Sequence, residues 1–152
     1  RAADASVAER LLERLDWWEA YAARDGASLD NNPSPGNLAG GITTILEKSL
    51  GAVAKAGTSP LVDVLDYGEV ARRPGLSFMD TPGYDPCSAT GQIAGGATLI
   101  AFTTGRGSVF GSKPAPTLKL ASNSPIASRM ADDIDIDCGA VLSGAADLNA
   151  MG

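Results

Sequence analysis

Residues 76–104 read LSFMDTPGYDPCSATGQIAGGATLIAFTT, and this stretch decides the fold. Leu76–Asp80 and Thr98–Phe102 are short apolar runs suited to buried strands. Between them lies Asp85-Pro86, an acidic N-cap followed by proline, which marks a helix start. Gly91, Gly95 and Gly96 weaken that helix by about 1 kcal/mol each relative to alanine, so its presence implies a close neighbour. Strand, loop, helix, strand is the order of an α/β layer with a largely parallel sheet.

The pattern extends both ways. Leu61–Leu65 and Thr117–Ala121 are further strand candidates, and Ser124-Pro125 opens a short helix over 125–131. A last helix is expected from Ala140 to about Ala150. The gap at 66–75 is too short for an ordinary crossover helix, so the first two strands are expected to be antiparallel or not adjacent. Upstream, residues 6–25 form an amphipathic helix with Val7, Leu11, Leu15, Trp18 and Ala22 on one face. Ser6 and Glu9 have capping-box spacing. Trp17 and Trp18 belong to a helix face that meets the core or another domain. Residues 42–56 form a second helix, with Ile42, Leu46, Leu50 and Val53 on one stripe and Thr44, Lys48 and Lys55 opposite. Apolar faces at the chain's ends are candidates for association. The expected architecture is therefore α/β: a short, mostly parallel sheet flanked by helices, with Gly-rich loops at the strand ends.

The chain has 152 residues, room for one domain, and 1–152 is read as a single domain. It starts without Met inside a helical pattern, which suggests a piece of a longer protein. Eighteen glycines and nine prolines foretell tight loops. A net charge of −6 argues against a general nucleic-acid binder, and no run reaches the ~18 apolar residues of a membrane helix. Two cysteines, Cys87 and Cys138, make no disulfide framework and suit a reducing compartment. The absence of histidine removes imidazole bases and imidazole metal ligands from this chain.

In a parallel sheet the loops at the strand C-terminal ends share one edge, where open α/β sheets bind ligands. Here those loops are Thr81–Asp85, Thr103–Ser108 and Ser122–Ser124: hydroxyls, glycine-freed amides and a guanidinium, suited to a carboxylate or polyol. Residues 86–131 carry Arg106, Lys113, Lys119 and Arg129 and no acid, a net +4 against −10 for the rest. Either a small anion is received there or the cations are scattered and paired. Gly105-x-Gly107-x-x-x-Gly111 misses the dinucleotide spacing by one residue, and Pro114 and Pro116 forbid a following helix. Asp133, Asp135 and Asp137 begin like a calcium loop, but Cys138 and Gly144 stand where glycine and glutamate are needed. As a strand they would place three carboxylates on one face, a hard-cation site or a solvated turn. Cys87 sits in a helix's first turn, where a reactive thiol or a buried inert one is possible. Gly91 and Gly95 permit core packing or close ligand approach.

The segments Asp30–Asn37 (DNNPSPGN), Ala39–Gly51, Pro60–Gly68, Met79–Asp85, Phe102–Gly107 (FTTGRG) and Asp135–Gly139 together resemble the altronate dehydratase and galactarate dehydratase family. The same family includes the large subunit of sulfolactate sulfo-lyase. The match runs in order from about residue 10 to 145. The resemblance implies part of the C-terminal catalytic region of a longer cytoplasmic hydro-lyase, inactive as an isolated piece. The whole enzyme would dehydrate a sugar acid such as altronate or galactarate to a 2-keto-3-deoxy acid. A divalent metal, iron(II) or manganese(II), is implied, held in part or mainly by the rest of the chain. Expected partners are the sugar acid, the remaining dehydratase chain and a homo-oligomer, with no nucleic acid and no membrane. A sulfo-lyase fragment, a non-catalytic small-anion module and a subunit-interface domain are the competing readings.

Dehydration removes the proton beside the carboxylate and expels the β-hydroxyl, so it needs a base, an acid and a clamp for the enediolate. With no histidine, a base within these 152 residues is limited to Lys48, Lys113, Lys119, Tyr84 or a carboxylate, and the whole enzyme could instead draw its base or histidine ligands from the rest of the chain. Lys48, Arg106 and Lys113 are the catalytic candidates. Arg106, Thr103 and Thr104 are assigned to the substrate carboxylate, with Thr81 as a further contact. Asn32, Ser34 and Asn37 are assigned to substrate hydroxyls or the metal shell. Asp80 and Asp85 are the metal or hydroxyl partners. Ser112 stands where many relatives are expected to carry cysteine, so no thiol role transfers there.

Overall fold

The computed structural model describes residues 1–29 and 43–151, with Pro35 and Leu38. The chain divides into two compact units, residues 1–65 with 71–80, and residues 66–70 with 81–151 among those described.

The first unit begins with helix α1 (Ala5–Arg24) and helix α2 (Ile45–Lys55). The cap of α1 is Asp4, whose carboxylate accepts from the Val7 amide at 3.0 Å, in place of the expected Ser6–Glu9 box. Ser6 instead donates its hydroxyl to the same carboxylate at 2.7 Å. These two bonds hold the Asp4 carboxyl below its ordinary range, with Arg73 adding a smaller contribution. Helix α2 has the reciprocal cap that α1 lacks. Thr44 Oγ1 accepts from the Glu47 amide, and Glu47 reaches back to the Thr43 amide and hydroxyl, each at 2.9 Å.

Strands β1 (Leu61–Leu65) and β2 (Leu76–Met79) pair in parallel, correcting the antiparallel or non-adjacent expectation. Their ten-residue connection contains no helix. It folds back through an Asp66–Glu69 turn, closed by the Glu69 amide on Asp66 O at 2.9 Å, with Gly68 at φ +75. Gly75, at φ +127, enters β2 directly against Val62; a Cβ there would sit 3.0 Å from a Val62 methyl. Val64 is completely buried, and Val7 of α1 is also in this core. By contrast, α2 buries nothing: Leu46, Leu50 and Val53 are 60–65% exposed.

The second unit holds helix α3 (Asp85–Ala94) and a parallel sheet in the order β3 (Ile100–Thr104), β4 (Thr117–Ala121), β5 (Ile136–Asp137). Asp85 lies inside the first turn of α3, one residue beyond the Tyr84 cap, where its charge faces the positive end of the helix. The glycine-rich sequence of α3 has its physical reason in Tyr67. A Cβ on Gly91 would run into that ring, and Tyr67 donates its hydroxyl to Cys87 O at 2.7 Å. Gly91 therefore serves the close approach of the Tyr67 ring, which is itself half exposed. Helix α4 (Ser124–Arg129) is capped by Asn123, which accepts from the Ile126 amide at 3.0 Å. The expected terminal helix is two short pieces, α5 (Gly139–Leu142) and α6 (Leu148–Met151), separated at Gly144 with φ +75. Gly139 lies against the backbone of Asn123 and Ser124, leaving no room for a side chain.

Candidate functional site

The loop after β3 is fixed by polar contacts to the elements around it. Thr104 Oγ1 accepts from the Gly107 amide at 3.0 Å, closing the turn that carries Arg106. Asn123 Nδ2 donates to Gly105 O at 3.0 Å, and Arg129 donates to Arg106 O at 3.2 Å. Lys119, buried on β4, donates to Ser108 O and pairs with Asp133, both at 3.3 Å. The Arg106 side chain itself is exposed. The FTTGRG segment is thus the end of β3 followed by a pinned turn that carries the exposed Arg106.

Beside β3 lies a cavity of about 310 Å3. Its polar wall is Thr81, Asp85, Ser88, Gln92 and Thr103, and its apolar wall includes Ala89, Ile100 and Phe102. Thr81 donates to Ser88 Oγ at 2.8 Å, and Gln92 Nε2 donates to the same oxygen at 3.0 Å. Four consecutive residues of β3, Ile100 to Thr103, line the cavity. Successive side chains of a strand point to opposite faces, so all four meet one cavity only along the strand's edge.

Thr81, Asp85 and Thr103, expected from sequence, come together in this cavity. Thr104, Arg106 and Lys113 do not line it. Lys113 is exposed in the loop before β4. Lys48 is on α2 and Asp80 follows β2, both in the first unit. Asp80 Oδ1 accepts from the Trp18 indole at 2.8 Å, which gives Trp18 a role its helix phase only hinted at. Asn32, Ser34 and Asn37 lie outside the described residues. Ser88 and Gln92 were not expected. Their i, i+4 spacing on α3 was visible, but it marks any helix face and does not select one that meets a strand edge.

No three Asp, Glu or Cys side chains among the described residues gather into a metal cage, and the sequence has no histidine. The acidic triplet shows why. Asp133 pairs with Lys119, Asp135 accepts from the Lys119 amide at 2.7 Å, and Asp137 accepts from the Gly139 amide at 2.9 Å. Each carboxylate is committed to the fold. The described residues do not by themselves fit the divalent metal that the family resemblance implies.

Open α/β sheets commonly bind small molecules at the loops beyond their strand ends, and a small polar cavity beside such a sheet is where a ligand would be sought. The family model for the C-terminal region of D-galactarate/altronate dehydratase matches residues 1–152, and the chain belongs to that family. It is 38% identical over 152 residues to the galactarate dehydratase (L-threo-forming) of Escherichia coli, covering all of this chain and 29% of that protein. It is 40% identical over 143 residues to the altronate dehydratase of Escherichia coli, covering 94% of this chain and 29% of that protein. It is 37% identical over 145 residues to the (2R)-sulfolactate sulfo-lyase subunit beta of Chromohalobacter salexigens, covering 93% and 37%. The chain therefore spans under a third of the length of the dehydratases it matches. No described helix is long and apolar enough to cross a membrane.

Proposed function

We propose that the protein carrying this chain is a cytoplasmic carbon–oxygen lyase that dehydrates a sugar acid, such as altronate or galactarate, to a 2-keto-3-deoxy acid. The observation that carries this reading is the family match over the whole chain, with dehydratases at 38% and 40% identity. A base takes the proton from the carbon beside the carboxylate, and the electron pair forms the enol double bond. The β-hydroxyl leaves with a proton as water, and the enol tautomerises to the 2-keto acid.

In this reading Arg106 and the Thr103 and Thr104 hydroxyls hold the carboxylate, where charge accumulates in the enediolate. Thr104 also shapes the loop through the Gly107 amide. Lys48 and Lys113 are candidates for proton transfer. Asn32, Ser34 and Asn37 are candidates for hydroxyl contacts or the metal shell, Thr81 for a further substrate contact, and Asp80 and Asp85 for the metal or a hydroxyl. A bound iron(II) or manganese(II) would stabilise the enediolate as a Lewis acid, with most of its ligands supplied from outside the described residues.

The test is turnover by the complete protein with altronate, galactarate and sulfolactate, assaying 2-keto acid and sulfite. Keto acid without sulfite supports the dehydratase reading. Sulfite release moves the protein to the sulfo-lyase branch, which the 37% identical relative makes the second reading. With neither product, the small-anion module becomes the better reading. Arg106→Ala is expected to abolish turnover, and full activity in that variant would remove Arg106 from the clamp.

A further inference from the structure

The cavity beside β3 lacks what a carboxylate needs and has what a diol needs. No lysine or arginine lines it, and its one charged group is the Asp85 carboxylate. The Ser88 and Thr81 hydroxyls lie 2.8 Å apart, Thr81 also reaches Pro82 O at 3.1 Å, and Gln92 Nε2 donates to Ser88 Oγ, so the three side chains form one mixed set of donors and acceptors. Asp85 supplies only acceptors at neutral pH, while the Gln92 amide and Thr103 hydroxyl supply both donor and acceptor.

The strand edge adds a second alternating set. The Ile100 amide donates to Pro116 O, and Thr104 O accepts from Ser122, both at 2.9 Å, which fixes the phase of the β3–β4 ladder. Ile100, Phe102 and Thr104 therefore turn their peptide groups toward β4. Ala101 and Thr103 turn theirs to the other edge, along which the cavity runs. Donors and acceptors thus alternate on both walls, with Phe102 and Ile100 as apolar surface between them. Each hydroxyl of a polyol offers one donor and two lone pairs, matching such a lining; an anion calls for donors alone. A volume of about 310 Å3 lies at the small end of ligand pockets.

We propose that this cavity is the subsite for the polyhydroxyl tail of the sugar acid, with Ser88 and Gln92 as specificity-determining contacts and the carboxylate held outside it. Thr103 stands at the junction, lining the cavity and preceding the Arg106 loop. The inference rests on the sugar-acid reading and assigns the end of the substrate that reading leaves open.

Two measurements on the complete protein test it. First, kcat/KM is compared for a six-carbon sugar acid and for glycerate, which has the 2,3-dihydroxy carboxylate but no further tail. Gln92→Ala and Ser88→Ala should each lower the six-carbon to three-carbon ratio about tenfold, the effect of one lost hydrogen bond. An unchanged ratio overturns the subsite. Second, binding of a neutral hexitol is measured by calorimetry. Binding that weakens in Gln92→Ala but not in Arg106→Ala supports the proposal even if no keto acid is ever formed. In that case the dehydratase reading fails and the subsite stands. Absence of hexitol binding, with the Ala101 and Thr103 amides protected from exchange in the ligand-free protein, would show a strand covering the edge and overturn it.

Discussion

Helices α2 and α3 invert what their sequences advertise. Helix α2 has good helix formers, a reciprocal cap and a regular apolar stripe, yet buries none of its residues. Helix α3 carries glycine in its middle and no side-chain cap, yet buries Ala89 and Gly91 against its surroundings. The difference separates two kinds of information. An apolar stripe reports a surface that favours being covered, whether or not the cover belongs to the segment in hand. A glycine at a costly position reports a neighbour that has already arrived, here the Tyr67 ring.

Substitutions break or sharpen that contrast. The largest effect is expected where a glycine meets backbone, because backbone cannot swing aside. Gly139→Ala should cost about 3 kcal/mol in chemical unfolding through its clash with Asn123 and Ser124. A loss under about 0.5 kcal/mol would mean the α4–α5 approach is looser than described. Gly91→Ala should cost about 2 kcal/mol, and Tyr67→Ala should mask much of it, giving a non-additive double-mutant cycle. Additive losses would show that the glycine answers to something other than Tyr67.

On α2 the expected effects are smaller. Thr44→Ala removes the cap and should cost about 1 kcal/mol. The Glu47 carboxyl is held below its ordinary range, chiefly by the Thr43 amide and then by the Thr43 hydroxyl. A depressed folded-state pKa stabilises the fold above the ordinary glutamate value, and that contribution is lost as pH falls through the lowered one. Glu47→Gln should therefore flatten the acid limb of the stability curve, and an unchanged limb would separate the cap from the titration. The smallest effect is expected from Leu50→Ser, within about 0.5 kcal/mol in the 152-residue chain. A markedly larger loss would contradict the exposure of the stripe.

Strands β1 to β4 were legible, β3 falling two residues later than expected, because short apolar runs bounded by glycine and proline have few other uses, whereas the two-residue β5 was not among them. Helix starts were legible to within three residues, the largest offset being α2, expected from 42 and beginning at Ile45. Asp4 displaced Ser6 as a cap because a carboxylate accepts from both the amide and that serine's hydroxyl. The parallel pairing of β1 and β2 was not legible, since it depends on Gly68 and Gly75 adopting positive φ in a connection that looked too short. Of the candidate site, Thr81, Asp85 and Thr103 could be read because they were expected just beyond two strands, although Asp85 opens α3 and Thr103 lies within β3. Ser88 and Gln92 could not, because helical spacing says which residues share a face and not what faces them. The acidic triplet left a cation site or a solvated turn open from sequence; its carboxylates instead bond Lys119 and backbone amides.

The most direct measurement is keto-acid formation from altronate and galactarate by the complete protein, run beside its Arg106→Ala variant. The expected result is metal-dependent 2-keto acid without sulfite from the parent and none from the variant. Sulfite from sulfolactate, or full keto-acid formation without Arg106, would contradict the sugar-acid dehydratase reading or the clamp at its centre.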